Sequence, residues 1–181
     1  MRRFCVAVLF GVLGTAAYAA PASATATFDG QCSIDGKTNF GLPLQFVAQD
    51  MDWTFTSNPG GGKCTGTLNG VAVVDTPMNV SVRAHGPISC GVAGYSLDAP
   101  FVGRFPNAVG DRTLTGRLSL GAIAAQNAVY VKGDQGGFAA GRASFFGQND
   151  EVAVLQGCAD GHTITTLNVN VLIHTVGPMS G

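Results

Sequence analysis

Glutamate is almost missing from this chain: Glu151 stands alone against ten aspartates, and lysine is confined to Lys37, Lys63 and Lys132. The long charged side chains that fill exposed helix positions are therefore scarce, which makes helix the minority expectation. Lysine and arginine form no cluster beyond Arg2-Arg3, so nucleic-acid binding lacks its electrostatic footprint. After residue 24 no apolar run is long enough to cross a bilayer as a helix. Close Cys-x-x-Cys and His-x-His pairs are absent, which removes the usual anchors of a zinc site. No Asp-rich calcium loop is present. The nearest approach to a G-x-S-x-G nucleophile elbow, "GYSLD" at 94–98, lacks the second glycine. One tryptophan and three tyrosines are too few to mark the exposed aromatic row of a carbohydrate-binding module.

What the amino terminus does carry is a secretory pattern. Arg2 and Arg3 precede a short apolar stretch from Cys5 to Leu13, then two small-x-small sites end at Ala19 and Ala24. Pro21 breaks the apolar helix just upstream of the second site, so residues 1–24 are read as a signal peptide, with cleavage after Ala19 as the alternative. Removing those 24 of 181 residues leaves 157, one domain at 25–181. Eight basic residues then face eleven acidic ones, a net charge of −3. Four cysteines remain, Cys32, Cys64, Cys90 and Cys158, and an even count in an exported domain implies two disulfides. Cys32 in "GQCS" and Cys64 in "GKCT" suit neighbouring strands, which favours Cys32–Cys64 with Cys90–Cys158.

Period-two alternation then sets the fold class. "MNVSVRAH" turns Met78, Val80, Val82 and Ala84 one way and Arg83 and His85 the other. "RTLTGRLSL" buries Leu114, Leu118 and Leu120; "TITTLNVNVLIH" buries Leu167, Val169, Val171 and Ile173 and exposes Asn168, Asn170 and His174. "DWTFTS" turns Trp53 and Phe55 inward, and "EVAVLQGC" reads as a strand with Val152 and Val154 inward. Further strands are expected at 26–34, 40–48, 63–74, 95–105, 122–132 and 138–146. Turns are expected at Asp35-Gly36, at Asn58-Pro59 with its three glycines, at Asn69-Gly70, at His85-Gly86-Pro87 and at Asp160-Gly161. Roughly ten short strands in one domain predict an all-β, antiparallel, disulfide-stapled sandwich or barrel. A membrane-spanning β-barrel fits less well, because the strands read as short and girdle aromatics are few.

"GDQGGFAAGR", residues 133–142, invites two catalytic readings. Its first five residues are one letter from the Gly-Asp-Ser-Gly-Gly loop of chymotrypsin-like proteases, but Gln135 occupies the nucleophile position and cannot attack a carbonyl. Read from Gly136 it approaches a phosphate-binding loop, but Arg142 and Ala143 replace the lysine and the hydroxyl that such a loop needs. A glycine-rich hairpin accounts for the stretch, with Gly133, Gly136 and Gly137 free to take positive φ and Gly141 allowing a neighbouring strand to approach closely.

The expected function is recognition or a structural role outside the cell or at its surface, without catalytic residues, metal ligands or a cofactor. Its partner would be a protein, a glycan or a small molecule, met through the outward residues Arg83, His85, Asn168 and Asn170 or the glycine-rich segment 58–62. Two other readings compete. A small hydrolase or metal enzyme would draw on Asp50, Asp52, His85, Asp160, His162 or His174, or on carboxylates among Asp98, Asp111, Asp150 and Glu151. A closed barrel would instead hold a hydrophobic ligand in a cavity lined by Phe and Leu.

Overall fold

The computed structural model describes residues 24–90, 96–106, 112–123, 126–145 and 151–181. The expected signal peptide lies outside them except for Ala24, as do Asp111 and Asp150. The described chain forms β1 (Ala24–Thr25), β2 (Thr27–Phe40), β3 (Gln49–Leu68), β4 (Val71–Pro77), β5 (Asn79–Ile88) and β6 (Ser96–Phe105). It continues through β7 (Arg112–Ile123), β8 (Gln126–Gly133), β9 (Phe138–Phe145), α1 (Glu151–Ala159), β10 (Thr166–Thr175) and β11 (Met179–Ser180).

Eight strands meander in chain order, β2-β3-β5-β6-β7-β8-β9-β10, each antiparallel to the last. β10 then pairs with β2, from Thr166 opposite Asn39 to His174 opposite Gln31, and closes the sheet. The fold is therefore a barrel and not a sandwich: β10 finds its partner in β2, so these eight strands need no second sheet stacked on them. β4 pairs with the far half of β3, β11 with β2, and β1 runs parallel to β7 outside the ring.

The alternation set by the sequence places one row of each strand inside. Ile34, Trp53, Phe55, Val80, Val82, Phe101, Leu114, Leu118, Val129, Val131, Val169 and Ile173 all belong to one buried core. At the end where β2 begins, Phe28, Leu68, Met78, Phe105, Leu114 and Met179 are buried, with the Phe28 and Phe105 rings 5.7 Å apart between centroids. At the other end Leu44, Met51, Ile88, Val154, Cys158 and Leu167 are buried.

Both disulfides form, Cys32–Cys64 across the paired strands β2 and β3 and Cys90–Cys158 from the end of β5 to α1. Among the described residues no helix is long and apolar enough to cross a membrane. The two disulfides are compatible with an extracellular location.

Several local expectations are corrected. The strands are not uniformly short: β2 runs 14 residues and β3 runs 20, each through a predicted turn, and the turn expected at His85-Gly86-Pro87 lies inside β5, paired with residues 50–52 of β3. Asp35-Gly36 lies inside β2, where the register slips between Ile34 and Gly36. Opposite that slip β3 jumps from Ser57 to Gly62, so residues 58–61 bulge while the strands pair on either side. Glycine is needed at 36 because a Cβ there would come within 2.5 Å of the Phe55 ring. Residues 41–48 form no strand; they cross the barrel end, with Leu44 buried and its N–H donating to the Ile164 carbonyl at 2.9 Å.

Residues 151–158 are helical, so Val152 is 71% exposed while Val154 is buried with Cys158 one turn further on. The sequence "CADGH" ends that helix. Gly161 has φ of 73° and donates to the Cys158 carbonyl, and His162 N–H donates to the Gly157 carbonyl. These are the paired bonds of a Schellman cap. Asn69-Gly70 is a tight hairpin turn, with φ of 52° and 78°. The 133–142 stretch is the β8–β9 hairpin, with positive φ at Gly136 and Gly137 but not at Gly133.

Candidate functional site

Inside the barrel a cavity of about 60 Å³ is lined by 15 side chains from all eight ring strands. Thirteen are hydrocarbon only, among them Phe55 and Phe101, Leu118 and Leu120, and the small Ala143. Thr38 and Trp53 are the two lining residues whose side chains contain a polar atom, and none of the 15 is charged. Trp53 is 4% exposed, held between Phe40 of β2 and Ala84 of β5 in register, and its indole Nε1 is buried without a hydrogen-bond partner.

On the outer face of β3, opposite to Trp53, Asp50 and Asp52 approach His85 of β5. Nδ1 lies 2.7 Å from Asp52 and Nε2 lies 3.1 Å from Asp50. Register explains the contact, since Asp52 sits directly opposite His85 and Asp50 is two residues along on the same face, opposite Pro87. Asp50 and Asp52 do not share a face with Trp53, because successive side chains on a strand point to opposite faces. The carboxylates meet the imidazole at its two different nitrogens, so the three groups do not converge on one point. Among the described residues no group of three or more His, Cys, Asp and Glu is placed to hold a metal ion.

Donation to Asp52, then that to Asp50, raises the His85 pKa above its ordinary 6.5. A group whose folded pKa is the higher one stabilises fully below its unfolded value, and the contribution fades as pH rises through the folded pKa. All three side chains are well exposed, so the effect on overall stability is small. An NMR titration is expected to show His85 losing its proton above pH 6.5, with Asp52→Asn lowering that midpoint. A midpoint at or below 6.5 in the unaltered protein would contradict the pairing seen here.

The other expected site residues scatter. Arg83 is exposed on β5, while Asn168 and Asn170 lie on β10, three strand spacings away. That is about 14 Å along the wall. Asn170 is engaged within the sheet, its Nδ2 donating to Ser33 Oγ at 3.1 Å and to Asp35 at 2.7 Å. His162 follows the helix cap and His174 lies on the outside of β10.

One feature of the outer wall was not foreseen. Asp98 and Arg117 form a two-pronged ion pair at 3.0 and 2.7 Å beside an open groove of about 730 Å³ that also touches Tyr130, Lys132 and Phe138. Arg117 holds the Asp98 carboxyl below its ordinary value. Alternation alone gives each of these residues an outward phase, but only the pairing of β6 to β9 shows that they are neighbours. No protein-family model, curated protein or solved structure matches the chain.

Proposed function

We propose that this is an exported, non-catalytic barrel that takes a small, uncharged, apolar molecule into its interior. The observation that carries the reading is the cavity itself. Native interiors are close-packed, with few voids larger than a water molecule, and an unfilled apolar space of about 60 Å³ costs roughly 1.5 kcal/mol at the rate measured for core truncations. An apolar guest recovers that cost by supplying the missing contacts. The amino-terminal signal pattern and the two disulfides support export. The scatter of Arg83, His85, Asn168 and Asn170 over separate parts of the wall favours the interior over those outward residues as the place of recognition.

Xenon tests the cavity, because it enters dry apolar voids. Trp53 is the only tryptophan in the chain, so its emission reports on that space alone. Emission is expected to be quenched under xenon pressure, and Ala143→Val is expected to abolish the response by filling the void. The same substitution should raise stability by about 1 kcal/mol, as cavity filling commonly does. Emission that ignores xenon would overturn the reading.

A further inference from the structure

The outer wall built by β7, β8, β9 and β10 carries a surface of its own, independent of the interior cavity. We propose that this wall lies against an anionic lipid bilayer, its apolar side chains in the headgroup region and Lys132 and Arg142 against lipid phosphates.

Charge is the first observation. These four strands are half of the ring, and they contain no aspartate or glutamate; the ring's acids stand on β2, β3 and β6. Arg117 of β7 is neutralised by Asp98 of β6, and Asp134 at the β8–β9 turn attracts it as well. Lys132 of β8 and Arg142 of β9 form no ion pair among the described residues. The chain as a whole has more acids than bases, so this wall runs against the average.

Apolar exposure is the second. Of the ten large apolar side chains exposed among the described residues, four belong here: Tyr130, Phe138, Leu172 and Val176, each 44% to 53% exposed. Exposed apolar surface that clusters marks a place of contact with a protein or a membrane.

Register is the third, because it makes these residues neighbours. Lys132 is opposite Phe138, and Val176, just past β10, donates its N–H to the Phe138 carbonyl at 2.9 Å. Tyr130, Ala140 and His174 form the next row, and Arg142 and Leu172 are paired in the one beyond. Successive outward rows on a strand lie about 7 Å apart. Each free cation therefore stands directly beside an apolar side chain.

That mixture decides the occupant. A second copy meeting this wall with its own would bring the same cations and no acid to pair them. Leu172 and Val176 offer a glycan no hydrogen bond. An anionic bilayer satisfies both sets at once, taking apolar side chains into the headgroup boundary and attracting basic ones electrostatically. The amphipathic ring of Tyr130 suits headgroup depth.

The test is flotation of the full disulfide-bonded protein with vesicles of phosphatidylcholine, with and without phosphatidylglycerol. Binding is expected only to the mixed vesicles and is expected to fall steeply with added salt. K132Q/R142Q should weaken it about thirtyfold, roughly fivefold per charge. F138S/L172S should weaken it about tenfold through lost apolar contact. K37Q/R83Q lowers the net charge equally on β2 and β5, and should leave binding unchanged. All of these side chains but Lys37 and Arg83 lie on the proposed wall, and all are exposed, so equal melting temperatures are expected.

No binding to the mixed vesicles, which needs no substitution to observe, would overturn the proposal. So would an equal loss in K37Q/R83Q, which would make the attraction one of net charge and not of this wall, or undiminished binding by F138S/L172S. A lipid-independent dimer broken by F138S/L172S would assign the wall to a second copy and overturn it too. None of these outcomes touches the xenon response, so the interior reading stands or falls separately.

Discussion

Replacing Cys32 and Cys64 together with alanine is expected to lower stability by about 4 kcal/mol, the loop-entropy value for a bridge of this span. The two cysteines are 32 residues apart and are direct partners in the β2–β3 register. Both side chains are buried, at 2% and 0% exposure, and both strands belong to the ring that closes the barrel. The bridge also sits beside the bulge of residues 58–61, where four residues of β3 face a single residue of β2. Ladder pairing is locally interrupted there, and the bridge keeps both strands in register just past the gap. Chemical denaturation of the C32A/C64A form should show a large loss in midpoint with one cooperative transition, because no part of the ring can open alone.

The Cys90–Cys158 bridge closes a longer span of 68 residues, so loop entropy by itself ranks it as the stronger staple. The fold argues for the opposite outcome. That bridge ties the end of β5 to the nine-residue α1 over one barrel end. A short helix of this length is marginal without its docking contacts, and Val154 and Cys158 are its buried side chains. C90A/C158A is therefore expected to release α1 locally, seen as lost amide protection at 154–162, with the barrel transition moved less than in C32A/C64A. Equal losses of protection across the ring strands would show that the helix end is part of the same cooperative unit.

Alternation in "MNVSVRAH", "RTLTGRLSL" and "LNVNVLIH" placed inward and outward residues as they are found, because a half-buried strand writes its period directly into the chain. Glycine-containing dipeptides were less legible, since the same letters serve different geometries. Asn69-Gly70 turns the chain, Asp160-Gly161 caps a helix, and Asp35-Gly36 sits in a bulged strand facing Phe55. What separates the three is the neighbour across the fold, which no local window contains. Residues 151–158 misled for a related reason: Val152 and Val154 read as alternation, whereas the helix buries Val154 with Cys158, one turn on. At the candidate site the inward phase of Trp53 was legible, but the space beside it depends on what Thr38, Ala143 and twelve other side chains leave unfilled. The Asp50–His85–Asp52 contact depends likewise on the register between β3 and β5.

Gly141→Ala is expected to cost about 3 kcal/mol, at the upper end for an overpacked core. A methyl at 141 would overlap the Leu172 carbonyl oxygen and press on Ile173 Cα, both backbone atoms of β10. Backbone in the middle of a closed ring has no rotamer with which to yield, so β9 and β10 must part where Gly141 and Ile173 are paired. Gly136 in the same hairpin provides the contrast. A Cβ there meets nothing within 4 Å, yet φ is 118°. Gly136→Ala therefore carries only conformational strain, about 1 kcal/mol. For a domain of this size the first substitution should lower the melting temperature by roughly 10 °C and the second by about 3 °C. The two glycines lie five positions apart in one stretch, and they differ in kind: one lets the chain turn, the other lets two strands of the barrel wall touch. A neutral Gly141→Ala would mean that β9 and β10 do not approach as closely as this, and would enlarge the space beside Ala143 on which the interior site depends.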